Sequence, residues 1–222
     1  MPDEHPSPEE PKFQEWMVNY ALNKRLRESQ GGMQWFFGLK PMKASQGSTI
    51  AELCGFGWKA EETEWACETG LALASDLGGM DLAKFKEQYW ATRPDFRFWT
   101  KDRTKQLIVE GKGVGCRPEK DDYAFAQAQR YFRYLADTGA SGAVLYLAPE
   151  THVDGWFRKL VRASGTSRIP YGVMGWSDEF MSGISIQLIL VISSGPLAAA
   201  ATLLRIAAGY ATRRPGAANI VE

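Results

Sequence analysis

The sequence is poor in the residues that build soft metal sites. It has two histidines, His5 and His152, and three cysteines, Cys54, Cys67 and Cys116, with no Cys-x-x-Cys pair. This excludes a histidine-rich metal centre, a cysteine zinc cluster and a four-cysteine iron–sulfur site. A sparse, odd set of cysteines fits a reducing compartment. Because the N-terminus also lacks the basic and apolar segments of a secretory signal, we expect a cytoplasmic protein.

Net charge is also lacking, since 26 basic and 26 acidic side chains balance over the 222 residues. The charges are unevenly distributed. Most charged residues between positions 52 and 81 are acidic, and most of those between positions 84 and 120 are basic. A basic segment beside an acidic one suits a protein that holds an anionic polymer and a cation together. Solvated surface charge is the plainer interpretation of the same pattern.

One long stretch, residues 180–204, has no charged side chain at all. Its length would span a bilayer. However, a turn signal at Ser193–Pro196 divides it into a β-branched half and an alanine-rich half. We therefore predict a strand at 184–193 and a helix at 196–210, rather than a membrane span, and expect no membrane partner.

The periodicity of apolar residues changes repeatedly between helical and strand-like, which predicts an α/β domain. The proposed division is a disordered tail at 1–11, a helix and an aromatic connector at 12–57, the main domain at 58–212 and a tail at 213–222. In the main domain, helices are predicted at 59–77, 81–91, 121–137 and 152–163, and strands at 95–99, 106–111, 142–147 and 169–174. The aromatic connector is expected to pack in a core, with nucleobase stacking as the alternative.

Two adjacent predicted strands carry the residues suited to catalysis. Asp95 lies six residues before the turn at 101–104, and Glu110 lies six residues after it. A hairpin would therefore place the two carboxylates opposite each other, with Lys112 beside them. Carboxylate oxygens are preferred ligands of hard cations such as Mg²⁺ or Mn²⁺. We expect Asp95 and Glu110 to bind such a cation, and Lys112 to orient a water and stabilise charge on a phosphate.

Pro94-Asp95, fourteen intervening residues and then Glu110-Gly111-Lys112 resemble the signature of the PD-(D/E)XK nuclease superfamily. The superfamily shares a restriction-endonuclease-like fold, an αβββαβ core whose mixed sheet is flanked by helices, and its members cut nucleic acid with magnesium. The resemblance covers roughly residues 58–150. It implies that fold here and catalytic roles for Asp95, Glu110 and Lys112. Outside the resemblance, we expect an N-terminal helical extension and a C-terminal strand and helix.

The next predicted helix carries a second resemblance. Gln127 and Tyr131 are four residues apart and so share one helix face. They are similar to the Q-x-x-x-Y motif of the RecB-like and lambda-exonuclease-like branches, in which these residues support the site and contact the substrate. Simple packing of the helix is the alternative interpretation.

Three more residues complete the implied site. Members of the superfamily tend to carry an acid on the first core helix, which here is the predicted helix at 59–77. Of its acids Glu61, Glu62, Glu64 and Glu68, the resemblance implies a catalytic role for Glu64, with Glu68 as the next choice. Arg97 and Arg130 lie near the motif residues and are expected to bind substrate phosphates. Such contacts would make DNA binding strongly dependent on salt concentration.

Together these features predict a magnesium-dependent nuclease that hydrolyses phosphodiester bonds of DNA. Two alternatives stay open: a non-catalytic nucleic-acid-binding or assembly protein of the same fold, and a membrane-associated nuclease effector. No element that reads base sequence is evident. The N-terminal region is a candidate surface for a homodimer contact or for a partner protein.

Overall fold

Helices and strands alternate along the chain in this computed structural model, which describes residues 11–28, 31–55, 62–67, 92–113 and 115–177 together with residues 81, 83 and 89. The helices are α1 (Pro11–Glu28), α2 (Gly32–Gly38), α3 (Ile50–Leu53), α4 (Asp122–Thr138) and α5 (Val153–Ser164), and a short 3-10 helix spans Glu150–His152. The strands are β1 (Lys43–Ala44), β2 (Thr63–Cys67), β3 (Phe96–Thr100), β4 (Lys105–Gly111), β5 (Ser141–Pro149) and β6 (Tyr171–Trp176).

The six strands form one open, mixed sheet in the order β1-β6-β5-β4-β3-β2. β2, β3 and β4 are antiparallel neighbours. β4, β5 and β6 are parallel, which requires the crossovers that α4 and α5 supply. The predicted α/β class with a mixed sheet and flanking helices is confirmed.

Local signals at both ends explain why α4 forms. The side chain of Asp121 accepts a hydrogen bond from the Ala124 N–H at 2.7 Å, which caps the first turn. Gly139 ends the helix with a φ of 65°, a left-handed conformation that glycine adopts without strain. The apolar face of α4 packs with α5 on one face of the sheet, in a core that includes Tyr131 and Trp156.

The aromatic connector packs on the opposite face of the sheet. The ring of Phe36, on α2, stacks on Phe98 of β3 with 5.0 Å between centroids. Phe36 and Phe37 are both buried. The prediction that these rings pack in a core is therefore confirmed for Phe36 and Phe37.

The helix predicted at 59–77 is wrong at residues 63–67, which form the strand β2. The alanine and glutamate content of this segment favours a helix when it is taken alone. Instead, Thr63–Cys67 pairs in antiparallel register with all of β3. Tertiary pairing thus overrides local propensity here.

The N-terminal segment predicted as an extension belongs with the sheet. Residues Glu10–Trp176 form one compact unit, in which β1 pairs with β6. The predicted strand at 184–193, the helix at 196–210 and both tails lie outside the described residues. Within the part of the chain that is described, no helix is long and apolar enough to cross a membrane.

Candidate active site

The β3–β4 hairpin brings one acid from each strand to the same end of the sheet. Phe96 pairs with Val109, and this register continues to Asp95 opposite Glu110, as the count from the turn predicts. The main chain holds Asp95 in place, because the Gly111 N–H donates to Asp95 Oδ2 at 2.6 Å. The regular register of the hairpin is therefore enough to bring the two carboxylates together.

A third carboxylate reaches this point from α1. Oxygen atoms of Glu15, Asp95 and Glu110 all lie within 4.8 Å of one another. Sequence reasoning missed Glu15, because helical periodicity identifies the apolar face of α1 and says nothing about what its polar face meets. The available signal was weak: Glu15 and Asn19 are a polar pair at i and i+4 beside the buried Met17.

Lys112 completes the cluster from the end of β4. Its Nζ lies 2.9 Å from Glu110 Oε1 and 3.4 Å from Gln127 Oε1. The same Nζ lies over the rings of Tyr146 and Trp156, 5.7 Å and 5.9 Å from their centroids. Aromatic faces attract cations, so the ammonium group of this buried lysine is stabilised from several sides.

Gln127 and Tyr131, both on α4, contact Lys112 and Glu110 respectively. The Tyr131 hydroxyl donates to Glu110 Oε2 at 2.6 Å, while Gln127 accepts from Lys112. Both side chains are buried, and Tyr131 is 0% exposed. Of the two roles that the motif implies, this geometry supports positioning of the site. The expected substrate contact is not available to Tyr131, because its side chain is inaccessible.

Burial and neighbouring charges shift the pKa values of Asp95, Glu15 and Lys112. Burial raises the pKa of Asp95 to about 8, with a further contribution from Glu110 and a partial offset from the Gly111 N–H. The pKa of Glu15 is also raised, mainly by burial. Burial acts to lower the pKa of Lys112, but the carboxylates around it, above all Glu110, raise it beyond its ordinary value. Lys112 therefore stays charged, while Asp95 and Glu15 resist ionisation.

The donor set fits a hard divalent cation. Three carboxylates and one ammonium group carry a formal charge of −2, which a divalent cation neutralises. Two oxygen ligands of Mg²⁺ lie at most about 4.2 Å apart, given Mg–O distances of about 2.0–2.1 Å. A cation between the three carboxylates would have to draw these oxygens, which lie within 4.8 Å of one another, closer together. Glu15, Asp95 and Glu110 are thus the residues that could hold Mg²⁺ or Mn²⁺.

Glu64 lies away from this cluster. It is on β2 rather than on a helix, opposite Trp99. Its Oε2 accepts from Trp99 Nε1 at 2.6 Å and lies 3.9 Å from the guanidinium of Arg103. Trp99 is four residues along β3 from Asp95, a separation of about 13 Å in a strand. The structure therefore does not place Glu64 at the site.

The two arginines expected to bind phosphate differ in exposure. Arg97 is 0% exposed, and its guanidinium donates to Gln106 Oε1 at 2.9 Å and to the Tyr134 hydroxyl. The expectation for Arg97 is wrong, because its side chain points into the core beneath α4. Arg130 is exposed on α4, three residues from Gln127, and stays a candidate for phosphate contact.

Comparison of the chain with protein-family models, with curated proteins and with solved structures gave no match.

Proposed function

We propose that this protein is a magnesium-dependent nuclease that hydrolyses phosphodiester bonds of DNA, with Mn²⁺ able to replace Mg²⁺. The observation that carries the proposal is the convergence of Glu15, Asp95 and Glu110 within 4.8 Å, with Lys112 bonded to Glu110. Crowded, partly buried acids destabilise a fold when nothing compensates their charge. Ionisable groups perturbed in this way cluster at functional sites.

The order of the elements supports the finer fold assignment. Once α2, β1 and α3, which lie between α1 and β2, are set aside, α1, the antiparallel strands β2, β3 and β4, then α4 and the parallel strand β5 follow the αβββαβ order of the restriction-endonuclease-like core. The motif residues lie at the end of β3 and β4 that α1 approaches. In this interpretation α1 is the first core helix, and Glu15 is its acid.

The residues of the chain divide into ligands and supports. When bound, the cation supplies an activated water and withdraws charge from the phosphate. Asp95, Glu110 and Glu15 hold it with oxygen ligands. Lys112 stays protonated and offers positive charge to the phosphate oxygens. Tyr131 fixes the orientation of Glu110, since both oxygens of that carboxylate already accept hydrogen bonds.

Exposed cations on α4 and on the segment before it support an anionic polymer as substrate. Four of them lie on α4 and on the segment before it: Arg117, Lys120, Arg130 and Arg133. Lysine and arginine side chains neutralise backbone phosphates, so affinity for DNA should fall steeply as salt rises.

The proposal is tested by cleavage of supercoiled plasmid and of linear DNA, each with MgCl₂, MnCl₂ or EDTA. We expect cleavage with either metal and none with EDTA, and loss of cleavage in Glu110→Gln. Glu64→Gln is the matched control, because it removes one carboxylate outside the cluster. A parallel reaction with RNA tests the choice of polymer.

Two outcomes would contradict the proposal. Cleavage by Glu110→Gln at the wild-type rate would overturn the assignment of the site. Binding of DNA without cleavage under any metal would favour the non-catalytic alternative.

A further inference from the structure

Gly111, between Glu110 and Lys112, has no room for a side chain. A Cβ atom at this position would lie 2.6 Å from Asn19 Oδ1 and 3.2 Å from Asp95 Oδ2. The residue lies in β4, and its φ is outside the left-handed region, so its backbone conformation would suit alanine. What excludes a side chain at Gly111 is the space that Asn19 and Asp95 occupy.

Asn19 lies on α1 one turn after Glu15, so both residues face the cluster. Its side chain hydrogen-bonds Asp95. This hydrogen bond lowers the pKa of Asp95, so the carboxylate accepts and the Asn19 amide nitrogen is the donor. The other amide atom, Oδ1, is buried and has no hydrogen-bond partner among the described residues.

We propose that Asn19 is a positioning residue of the metal site, which fixes the Asp95 carboxylate against β4, and that Gly111 is glycine in order to admit it. The inference rests on the proposed function, since it takes Asp95 as a metal ligand. Two donors then hold Asp95, the Asn19 amide and the Gly111 N–H. The unpartnered Oδ1 gives the site an acceptor for a water bound to the cation, an outer-shell contact of the kind that orients metal ligands.

The test measures metal binding without DNA, by titration of the metal-free protein with Mn²⁺ followed by electron paramagnetic resonance. We expect Asn19→Ala to weaken Mn²⁺ binding about 10-fold, as outer-shell substitutions commonly do. Asn23→Ala is the matched control on the same helix, because Asn23 accepts from Arg27 Nε at 2.6 Å and not from the site. The melting temperature in EDTA should change similarly in both variants.

A double-mutant cycle tests the spatial part of the inference. Gly111→Ala alone should weaken Mn²⁺ binding at least about 10-fold, because its methyl group displaces Asn19. In the Asn19→Ala background the same substitution should cost much less, since the space is then empty. Contacting residues show such non-additivity.

The outcomes separate this inference from the proposed function. Unchanged Mn²⁺ affinity in Asn19→Ala, additive effects in the cycle, or no Mn²⁺ binding by the wild type would each overturn the inference. Weakened binding in Asn19→Ala, together with a wild-type protein that cuts no DNA, would support the role of Asn19 and contradict the nuclease proposal.

Discussion

The two ends of the β3–β4 hairpin carry similar charged residues in opposite environments. At the site end, burial and Glu110 raise the pKa of Asp95 to about 8. At the turn end, hydrogen bonds from Thr100 and Thr104 lower the pKa of Asp102. Asp102 is exposed and accepts from the Thr100 hydroxyl at 2.5 Å and from the Thr104 N–H at 3.1 Å.

The difference arises from what covers each end. Asp102, the acid at the turn, accepts hydrogen bonds from its neighbours in sequence and stabilises the turn. The acids at the site are brought together by α1 and by both strands, and burial together with the charge of neighbouring acids raises the pKa of Asp95 and of Glu15. Raised pKa values at two neighbouring acids, Asp95 and Glu15, are therefore better evidence for a functional site than the number of acids in a segment.

The largest expected effect comes from exchanging an acid at the site for its amide. Glu110→Gln keeps the size of the side chain but removes its charge, so cleavage with Mg²⁺ should fall about 10³-fold or more. Glu64→Gln, at the turn end of the sheet, should leave the rate within about twofold, because Glu64 pairs with Trp99 and touches no member of the cluster. Initial rates of plasmid nicking, with circular dichroism as a check of folding, measure both. An equal loss of cleavage rate in Glu110→Gln and Glu64→Gln would contradict the view that only the site end of the hairpin takes part in cleavage.

Glu15 is expected to contribute less than Glu110, since Glu110 forms an ion pair with Lys112 and no such ion pair of Glu15 is among the contacts described. Glu15→Gln should lower cleavage about 10–100-fold and raise the Mg²⁺ concentration needed for half-maximal rate. Excess Mg²⁺ should restore part of the loss, whereas it should not restore Glu110→Gln. A rate unaffected by Glu15→Gln would mean that α1 only covers the site.

Sequence reasoning predicted the convergence of Asp95 and Glu110 because the hairpin register follows from local rules. Strand alternation and the length of the turn are enough to set Asp95 opposite Glu110. The ends of α4 were also predictable, since Asp121 and Gly139 are ordinary capping residues.

The missed features depend on contacts between distant segments. Thr63–Cys67 is a strand because β3 offers it a partner along its whole length. Arg97 is buried because Tyr134 and Gln106 meet it from neighbouring elements. Glu15 enters the site because α1 packs against β4. None of these contacts leaves a periodic trace in the sequence.

A smaller effect should distinguish positioning by α4 from packing by α4. Tyr131→Phe removes the hydroxyl that orients Glu110, so cleavage should fall about 10-fold while stability falls by about 1 kcal/mol. Tyr134→Phe is the matched control, because its buried hydroxyl bonds Gln106 and Arg97 instead. It should lose similar stability and keep its activity. Parallel losses of activity and melting temperature in both variants would favour the packing interpretation.

The smallest expected effect is on the stability of the metal-free protein, and it should have opposite signs at the two ends of the hairpin. Because the pKa of Asp95 is raised from 3.8 to about 8 on folding, the folded state binds more protons, and stability falls as pH rises between these values. Asp95→Asn abolishes this penalty and can still accept from Gly111. It should therefore raise the melting temperature in EDTA more at pH 9 than at pH 5, and the difference in the free energy of unfolding between the two pH values should be about 1–3 kcal/mol.

Asp102 should behave in the opposite way. Its lowered pKa means that its contribution to stability is present above its unfolded pKa of 3.8 and is lost as pH falls through the folded value. Asp102→Asn should lower the melting temperature slightly and equally at pH 5 and pH 9. Thermal denaturation of both variants in EDTA, repeated with Mg²⁺, measures the contrast. Mg²⁺ should stabilise the wild type and Asp102→Asn at pH 9, and should stabilise Asp95→Asn much less. A decrease in melting temperature for Asp95→Asn at pH 9 would show that the cluster is satisfied without a cation.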